Sequence, residues 1–311
     1  MPIKCKGCRD MKVFDCIIVG AGPAGLSAGL ILGRARREIA IFDDGTNRNR
    51  VTQESHGFLT RDGIKPQAFK ELGLTELEKY PSISKFNTTI TEIIKDNEHE
   101  RFIIKTMDDQ QFLTEKIILA TGIQEEFSVP SVRNYYGKNL FSCPYCDGWE
   151  LRDKPLIVMA EKEEHVLHMA KLVYNWSKNL TVVTNGFQLS EEAVQQLQAR
   201  NINIKSDPIM NLLGNDGNLE KIEFETGETF ECTAGFVIPT FYRSNQFAEK
   251  LGCEIQESGM VVTDGVGRTT IDNIYIAGET EKSGPSSLLI SAADGSKAAF
   301  SVNADLTMER F

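Results

Sequence analysis

Residues 13–19 (Val-Phe-Asp-Cys-Ile-Ile-Val) form a short apolar run that stops at Gly20-Ala21-Gly22-Pro23-Ala24-Gly25. A run of this length bounded by glycine reads as a strand buried on both faces, the kind found in parallel sheets. Leu26-Ser27-Ala28-Gly29-Leu30-Ile31-Leu32 then carries the small and apolar residues of a helix that packs on a sheet, and a second strand, residues 39–42, ends in Asp43-Asp44. The G-x-G-x-x-G thus has its strand, its helix and its acid at the distances of a dinucleotide fingerprint. Gly20 permits the tight turn, Gly22 lets backbone approach a pyrophosphate, and Gly25 allows close helix packing. Pro23 and Ala24 open the helix, whose free N–H groups and positive dipole end favour that phosphate. Asp43, in preference to Asp44, is placed to accept the ribose hydroxyls. The alternative is a structural glycine turn.

With 311 residues, 41% apolar and 25% charged, the chain can fill two ordinary globular cores. A net charge of -10 argues against a broad nucleic-acid face, and no apolar run approaches the ~20 residues of a membrane span. The start of the chain is polar and basic, without the apolar segment of a secretory signal. Seven scattered cysteines fit a reducing, cytoplasmic setting better than a disulfide-stapled secreted fold.

Cys143-Pro144-Tyr145-Cys146, followed by Asp147-Gly148, supplies two thiols able to close a small ring and a carboxyl group beside them. A C-x-x-C is either a redox centre or half of a zinc site. The upstream dinucleotide motif, and the want of a second cysteine pair in good structural context downstream, favour redox chemistry. Asp147 reads either as a proton carrier or as the first residue of an Asp-Gly turn. Cys5-Lys6-Gly7-Cys8 lies in a basic tail and reads as a frayed end, a relay or a metal ligand pair. His165 and His168 beside Glu164 read as an exposed helix face in preference to a metal site, so no metal is expected. Cys16, Cys232 and Cys253 read as packed thiols.

Two further strand ends, Lys116-Ile117-Ile118-Leu119-Ala120-Thr121-Gly122 and Asp272-Asn273-Ile274-Tyr275-Ile276-Ala277-Gly278-Glu279, repeat the strand-to-small-residue pattern. Together with Gly20–Gly25 and Cys143–Gly148 they resemble the low-molecular-weight thioredoxin reductase family of flavoproteins, over nearly the whole chain from about residue 13. The resemblance implies an α/β protein of two doubly wound, Rossmann-like domains and usually a homodimer. An FAD domain would span 13–123 and 241–311, interrupted by an inserted NADPH-like domain at 124–240 that carries the dithiol, with 1–12 a flexible tail. Gly20, Gly22, Pro23, Ala24, Gly25 and Asp43 would hold the ADP half of FAD. Thr121 and Gly122 would line the cofactor, and Gly278 and Glu279 would face its ribityl chain and inner phosphates, with Glu279 where the family usually has aspartate. Ala292-Ala293-Asp294-Gly295 would begin or flank the last helix of that domain, beside the flavin ring. Cys146 would lie against the flavin and Cys143 would exchange with the substrate, Asp147 or His56 moving the proton. His56, in Ser55-His56-Gly57-Phe58-Leu59-Thr60-Arg61-Asp62-Gly63, resembles a residue of a dithiol-oxidase subgroup and is expected near the isoalloxazine, unless it is only a structural loop histidine.

The chain departs from the family at its second nucleotide motif. Pro155–Ala160 runs into Glu161-Lys162-Glu163-Glu164-His165, so Ala160, Lys162 and His165 stand at the motif positions and three carboxylates would repel a pyrophosphate. Thr181-Val182-Val183-Thr184-Asn185-Gly186 lacks the arginines that hold a 2′-phosphate. The expectation is an FAD-dependent disulfide/dithiol oxidoreductase that does not use NADPH in the usual way. Its partners would be a thioredoxin-like protein or a small dithiol or disulfide, with a ferredoxin-type donor or O2 as the other electron partner, or a second flavin or mediator in the altered domain. The alternatives are a dithiol oxidase making hydrogen peroxide and a non-catalytic flavin redox sensor.

Overall fold

A computed structural model describes residues 12–96, 98–280 and 287–311. The tail with Cys5 and Cys8 lies outside the described residues. In chain order the elements are β1 (Val13–Val19), α1 (Pro23–Arg34), β2 (Ile39–Phe42), α2 (Pro66–Leu77), β3 (Ile83–Phe86), β4 (Ile90–Asp96), β5 (Arg101–Thr106), β6 (Gln111–Leu119) and β7 (Ile123–Glu126). There follow β8 (Leu140–Phe141), α3 (Pro144–Leu151), β9 (Leu156–Met159), α4 (Glu163–Val173), β10 (Leu180–Val183), α5 (Glu191–Gln198) and β11 (Asn203–Lys205). The rest are β12 (Ile209–Asn215), β13 (Asn218–Phe224), β14 (Thr229–Glu231), β15 (Gly235–Val237), β16 (Thr240–Arg243), α6 (Gln246–Lys250), β17 (Ile274–Ile276) and α7 (Leu288–Arg310).

The chain divides into two compact units. The first comprises residues up to Arg50, Gln67–Gln124 and Tyr242–Phe311; the second comprises Val51–Pro66 and Glu125–Phe241. Residues 51–66 therefore group with the inserted unit, although the expected boundary kept them with the FAD domain. Their attachment is local: Gly137 lies so close against the Val51 backbone that a side chain there would overlap it, and His56 reaches Glu150.

The first unit is a seven-stranded sheet in the order β3-β2-β1-β6-β5-β4, with β17 also on β6. β1 pairs in parallel with β2 and β6, and β2 with β3. β6 is long enough to serve two neighbours on one edge, Gln111–Thr114 pairing antiparallel with β5 and Ile117–Leu119 parallel with β17. Alternation along β1 assigns its side chains to opposite layers. Cys16 and Ile18 join the core with Leu26, Leu32, Ala298 and Val302 from α1 and α7. Ile17 and Val19 join the other core with Phe42, Ile104 and Phe247. Phe42 stacks on Phe86 at 4.7 Å, with Phe112 edge-on at 4.9 Å.

The last helix is fastened to this sheet by charge. Lys116, 1% exposed, donates from Nζ to Asn273 Oδ1 at 2.6 Å and Glu309 Oε1 at 2.7 Å, partners without which a buried ammonium would cost several kcal/mol. Asp305 receives Arg268 at 2.8 Å and the Tyr275 hydroxyl at 2.6 Å, and the Arg268 guanidinium first of all holds its carboxyl below the usual range. Arg310 reaches Asp15 and Glu115.

The second unit has a five-stranded parallel sheet, β11-β10-β9-β15-β8, and a three-stranded antiparallel sheet, β12-β13-β14. Leu156 and Val158 face the core that includes Val166, Ala170 and Val173 of α4, while Ile157 and Met159 face the core made with Leu212, Ile222 and Phe224 of the smaller sheet. The expected turn after Asn215 is the two-residue connection Asp216-Gly217, both at positive φ (50° and 71°), the geometry that suits a tight hairpin.

Candidate functional site

The first unit carries the glycine turn at the carboxyl ends of β1 and β6, where the strand order reverses, the place at which open α/β sheets bind ligands. Gly20 has φ 103° and lies under the Ala120 carbonyl, while a side chain at Gly25 would overlap the Gly20 carbonyl oxygen. Gly22 is different. It is the N-cap of α1, with no side-chain cap, and a Cβ built there meets nothing within 4 Å. Space and unspent N–H groups are thus left where the expected phosphate belongs, beside Pro23 and Ala24. Ala24 is also where Gly278 and Gly295 come closest, Gly295 directly over its backbone.

Asp43 accepts from Ala21 N–H at 2.7 Å through Oδ2, and from Gly45 N–H at 2.8 Å and Lys70 through Oδ1. It ties the glycine turn to the end of β2, and a ribose would share a carboxylate already used by the protein. Asp44 instead receives Thr46 N–H at 3.1 Å. Thr121 donates to the Ser244 carbonyl at 3.3 Å, and Gly122 (φ 65°) has open space around it. Glu279 accepts from Arg48 at 3.1 Å, so the longer carboxylate reaches a guanidinium that sequence reasoning did not single out. Thr280, 1% exposed, has a hydroxyl with no hydrogen-bond partner among the described residues. Open backbone at Gly22, an uncapped helix start and that buried hydroxyl fit a dinucleotide cofactor. Ala292–Gly295 lies within α7.

The second unit carries the cysteines. Cys143, the N-cap of α3, and Cys146, in its first turn, are joined by a disulfide with Cα atoms 5.3 Å apart. The amide groups of that first turn stabilise negative charge developing on sulfur. Asp147 and Gly148 lie inside α3, which removes the Asp-Gly turn reading. Gly148 is required there because any side chain would press on the Trp176 indole.

Asp147 and Glu150, three apart on α3, share a face, and that face meets His56. The imidazole Nε2 lies 3.5 Å from Glu54 and 3.9 Å from Glu150, and Nδ1 lies 3.5 Å from Asp62. Asp62 also accepts from Gly57 N–H at 2.8 Å, the main reason its carboxyl is held below the usual range. The loop is closed by Ser55 N–H donating to Ile64 O at 2.8 Å. Burial pushes the Asp147 carboxyl up to about 7, against the pull of the His56 charge and with some help from Glu150. The structure thus brings Cys143, Cys146, Asp147 and His56 into one unit, with Glu54, Asp62 and Glu150 added to them. Glu150 was legible from its helical spacing to Cys146 and Asp147.

The other described thiols do not compete in reactivity. Burial drives the Cys16 thiol far up, the Cys232 thiol up to about 12 and the Cys253 thiol upward as well. His165 and His168 lie on α4, and no group of three or more metal-ligating side chains occurs among the described residues.

At the departed nucleotide motif, Glu161 Oε1 accepts from Asn185 Nδ2 at 2.6 Å and from the Ser128 hydroxyl. Asn185 Oδ1 in turn receives Ile209 N–H at 2.7 Å. Glu163, in the first turn of α4, accepts from Ser190 N–H at 2.6 Å. Glu161 and Glu163 thus stand at the end of β9 and the start of α4, the place at which the family motif would receive phosphate.

Because ionising Asp147 is unfavourable in the fold, its contribution to stability is full below its ordinary value near 3.8 and is lost as pH rises through about 7. Melting temperatures of the oxidised protein and of Asp147→Asn are therefore expected to diverge in the variant's favour from about pH 4 to about pH 7 and to run parallel above. In a His56→Gln background the window should extend upward, since the cation that lowers the carboxyl is gone. A difference constant with pH would show an unshifted carboxyl.

Comparison with known proteins agrees with this architecture. The pyridine nucleotide-disulphide oxidoreductase family matches residues 14–295. A solved structure titled as a putative thioredoxin reductase TrxB from Bacillus anthracis is 56% identical, with a TM-score of 0.93 over 96% of this chain and 100% of that one. Thioredoxin reductase sirT of Leptosphaeria maculans is 29% identical over 86% of this chain and 87% of its own. A probable thioredoxin reductase of Arthroderma benhamiae is 26% identical over 96% and 81% respectively. With its two Rossmann-like units and its dithiol in the inserted one, the chain belongs to the pyridine nucleotide-disulphide oxidoreductase family, among the thioredoxin reductase-like flavoproteins.

Proposed function

We propose that this protein exchanges two electrons between FAD and the Cys143/Cys146 pair, and that NADPH does not enter in the way usual for thioredoxin reductases. The observation that carries the first part is the disulfide at the start of α3, set in one compact unit with a carboxyl raised to about 7 and an imidazole. The second part is supported by Glu161, whose hydrogen bonds to Ser128 and Asn185 occupy the crevice a second dinucleotide would need.

FAD is the cofactor, and when bound it supplies a two-electron donor or acceptor. Gly20, Gly22, Pro23, Ala24 and Gly25 would cradle its pyrophosphate, with Asp43, Thr121, Gly122, Gly278 and Glu279 around the remainder. The other steps fall to side chains. Two electrons open the Cys143–Cys146 bond; the first turn of α3 stabilises the thiolates; Asp147, partly protonated near neutrality, gives a proton to the leaving sulfur, and His56 restores it. Cys143 exchanges with a thioredoxin-like protein or a small disulfide.

The deciding measurement is anaerobic flavin absorbance, titrated separately with NADPH and dithiothreitol. Dithiothreitol is expected to bleach the flavin and stoichiometric NADPH to leave it oxidised; peroxide on admitting air would mark the oxidase branch, and its absence a protein donor such as ferredoxin. Prompt bleaching by NADPH would overturn the reading of Glu161.

The glycine cradle has its own test. Gly22 has φ -71°, which alanine adopts freely, so Gly22→Ala should leave the denaturant midpoint of the apoprotein unchanged. It should weaken FAD binding by about tenfold or more, ~1.4 kcal/mol or above. Unchanged FAD affinity would place the phosphates elsewhere.

The assembly is proposed to be a homodimer through α7. Leu289, Phe300 and Phe311, at intervals of about three helical turns, are exposed, as is Met308, and a second copy of the same helix would cover them. Light scattering should give a dimer for the native chain and a monomer for Phe300→Glu; a monomeric native chain would exclude this interface.

A further inference from the structure

The surroundings of the dithiol carry information about what it reacts with. Glu54, Asp62 and Glu150 each approach His56 within 3.9 Å, and among the described residues no lysine or arginine pairs with any of them. Among the described residues one imidazole is therefore the only ionic partner of three carboxylates, with Asp147 beside them. The Arg152 guanidinium lies 4.0 Å over the Trp149 ring and donates to the Trp149 carbonyl, and Arg61 donates to the Thr60 carbonyl, so neither makes an ion pair with these carboxylates. A second, independent feature lies on α3 itself. Tyr145, between the two cysteines, is 72% exposed and Trp149, one turn on, is 65% exposed. Aromatic faces of this kind attract cations and the apolar stems that carry them, as Arg152 on Trp149 illustrates.

From this combination of reactive cysteines, carboxylates paired only through His56 among the described residues, and exposed aromatic side chains, we infer that the dithiol selects cationic disulfides over anionic ones. The partner class is a disulfide flanked by amines or by basic residues. The inference rests on the proposed redox role of Cys143 and Cys146 and adds the charge of their substrate. Steering by clustered charge raises the encounter rate of an opposite charge by about tenfold or more and lowers that of a like charge, and salt suppresses both effects.

The step to be measured is thiol–disulfide exchange with a small probe. The Cys143 thiolate attacks one sulfur of the probe, whose S–S bond breaks, and the departing sulfur takes up a proton. Cys146 then attacks the Cys143 sulfur, closing the intramolecular disulfide and releasing the second thiol. The protein dithiol is oxidised by two electrons, and one probe disulfide becomes two thiols.

The FAD-loaded protein, reduced with dithiothreitol and desalted anaerobically, would be mixed at neutral pH with cystamine (cationic), bis(2-hydroxyethyl) disulfide (neutral) or 3,3′-dithiodipropionate (anionic). Because reduced FAD would return two electrons to the new disulfide, flavin absorbance reports the first equivalent of probe, and quenching with iodoacetamide and mapping Cys143 and Cys146 by mass reports the second. The expected order is cystamine, then neutral, then anionic, with the extremes differing by about tenfold or more at low salt and converging at about 0.5 M salt. Glu54→Gln/Glu150→Gln should narrow the ratio between cystamine and the neutral probe, a readout that divides out any general loss of reactivity. Equal rates for the three probes, a preference for the anion, or a ratio insensitive to salt and to the double variant would overturn the inference while leaving the dithiol reactive. No exchange with even the neutral probe would instead remove the redox reading itself.

Discussion

The first unit depends on how closely the first turn of α1 can approach the backbone around it. Gly25 meets the Gly20 carbonyl, and Gly278 and Gly295 meet Ala24, so β1, β17 and α7 all converge on one helical turn without intervening side chains. That proximity brings the ends of the parallel strands beside the uncapped start of the helix, where backbone donors and an open space at Gly22 are left for a ligand. Gly25 and Gly295 satisfy the fold, whereas a methyl group at Gly22 would touch nothing. The difference is visible only when each position is asked what a methyl group would touch.

The second unit repeats the strand-to-helix scheme with different occupants at its helix starts. At α4 the carboxylates of Glu161 and Glu163 take up Ser128, Asn185 and the Ser190 amide. At α3 the same kind of helix start bears sulfur instead, with a neutralisable acid one residue on. Burial, more than any single neighbour, sets the Asp147 carboxyl near 7, and the His56 charge opposes it. A carboxyl that titrates near neutrality is therefore built from an ordinary aspartate by desolvation, with a histidine beside it.

Much of this was readable before any coordinates. β1, β2, β9 and β10 are continuous apolar runs because both faces are covered, and their boundaries follow the runs closely. The cofactor glycines and the Cys143/Cys146 pair announce themselves because their chemistry demands fixed spacing. What escaped has long-range causes. The β4–β5 hairpin has mixed exposure and no motif, and the Arg48–Glu279 pair joins residues 231 apart. The loop 51–66 groups with the dithiol unit through contacts that no local pattern encodes. His56 was singled out, but its carboxylate neighbours Glu54 and Asp62 were not, since charged residues in a loop ordinarily belong to solvent.

The fastening of α7 bears on how this chain must be made. Arg310 grips Asp15 from 295 residues away, Lys116 waits for Glu309, and β6 receives β17 only after the inserted unit has been traversed. The two sheets of the inserted unit close within residues 140–237, whereas the first unit lacks β17 and α7 until that unit has been traversed. The unit begun first is thus the last to be completed, and its apolar α1 face, with Leu26 and Leu32, stays open through most of translation. A nascent chain of this kind is vulnerable to association until α7 has emerged and covered that face.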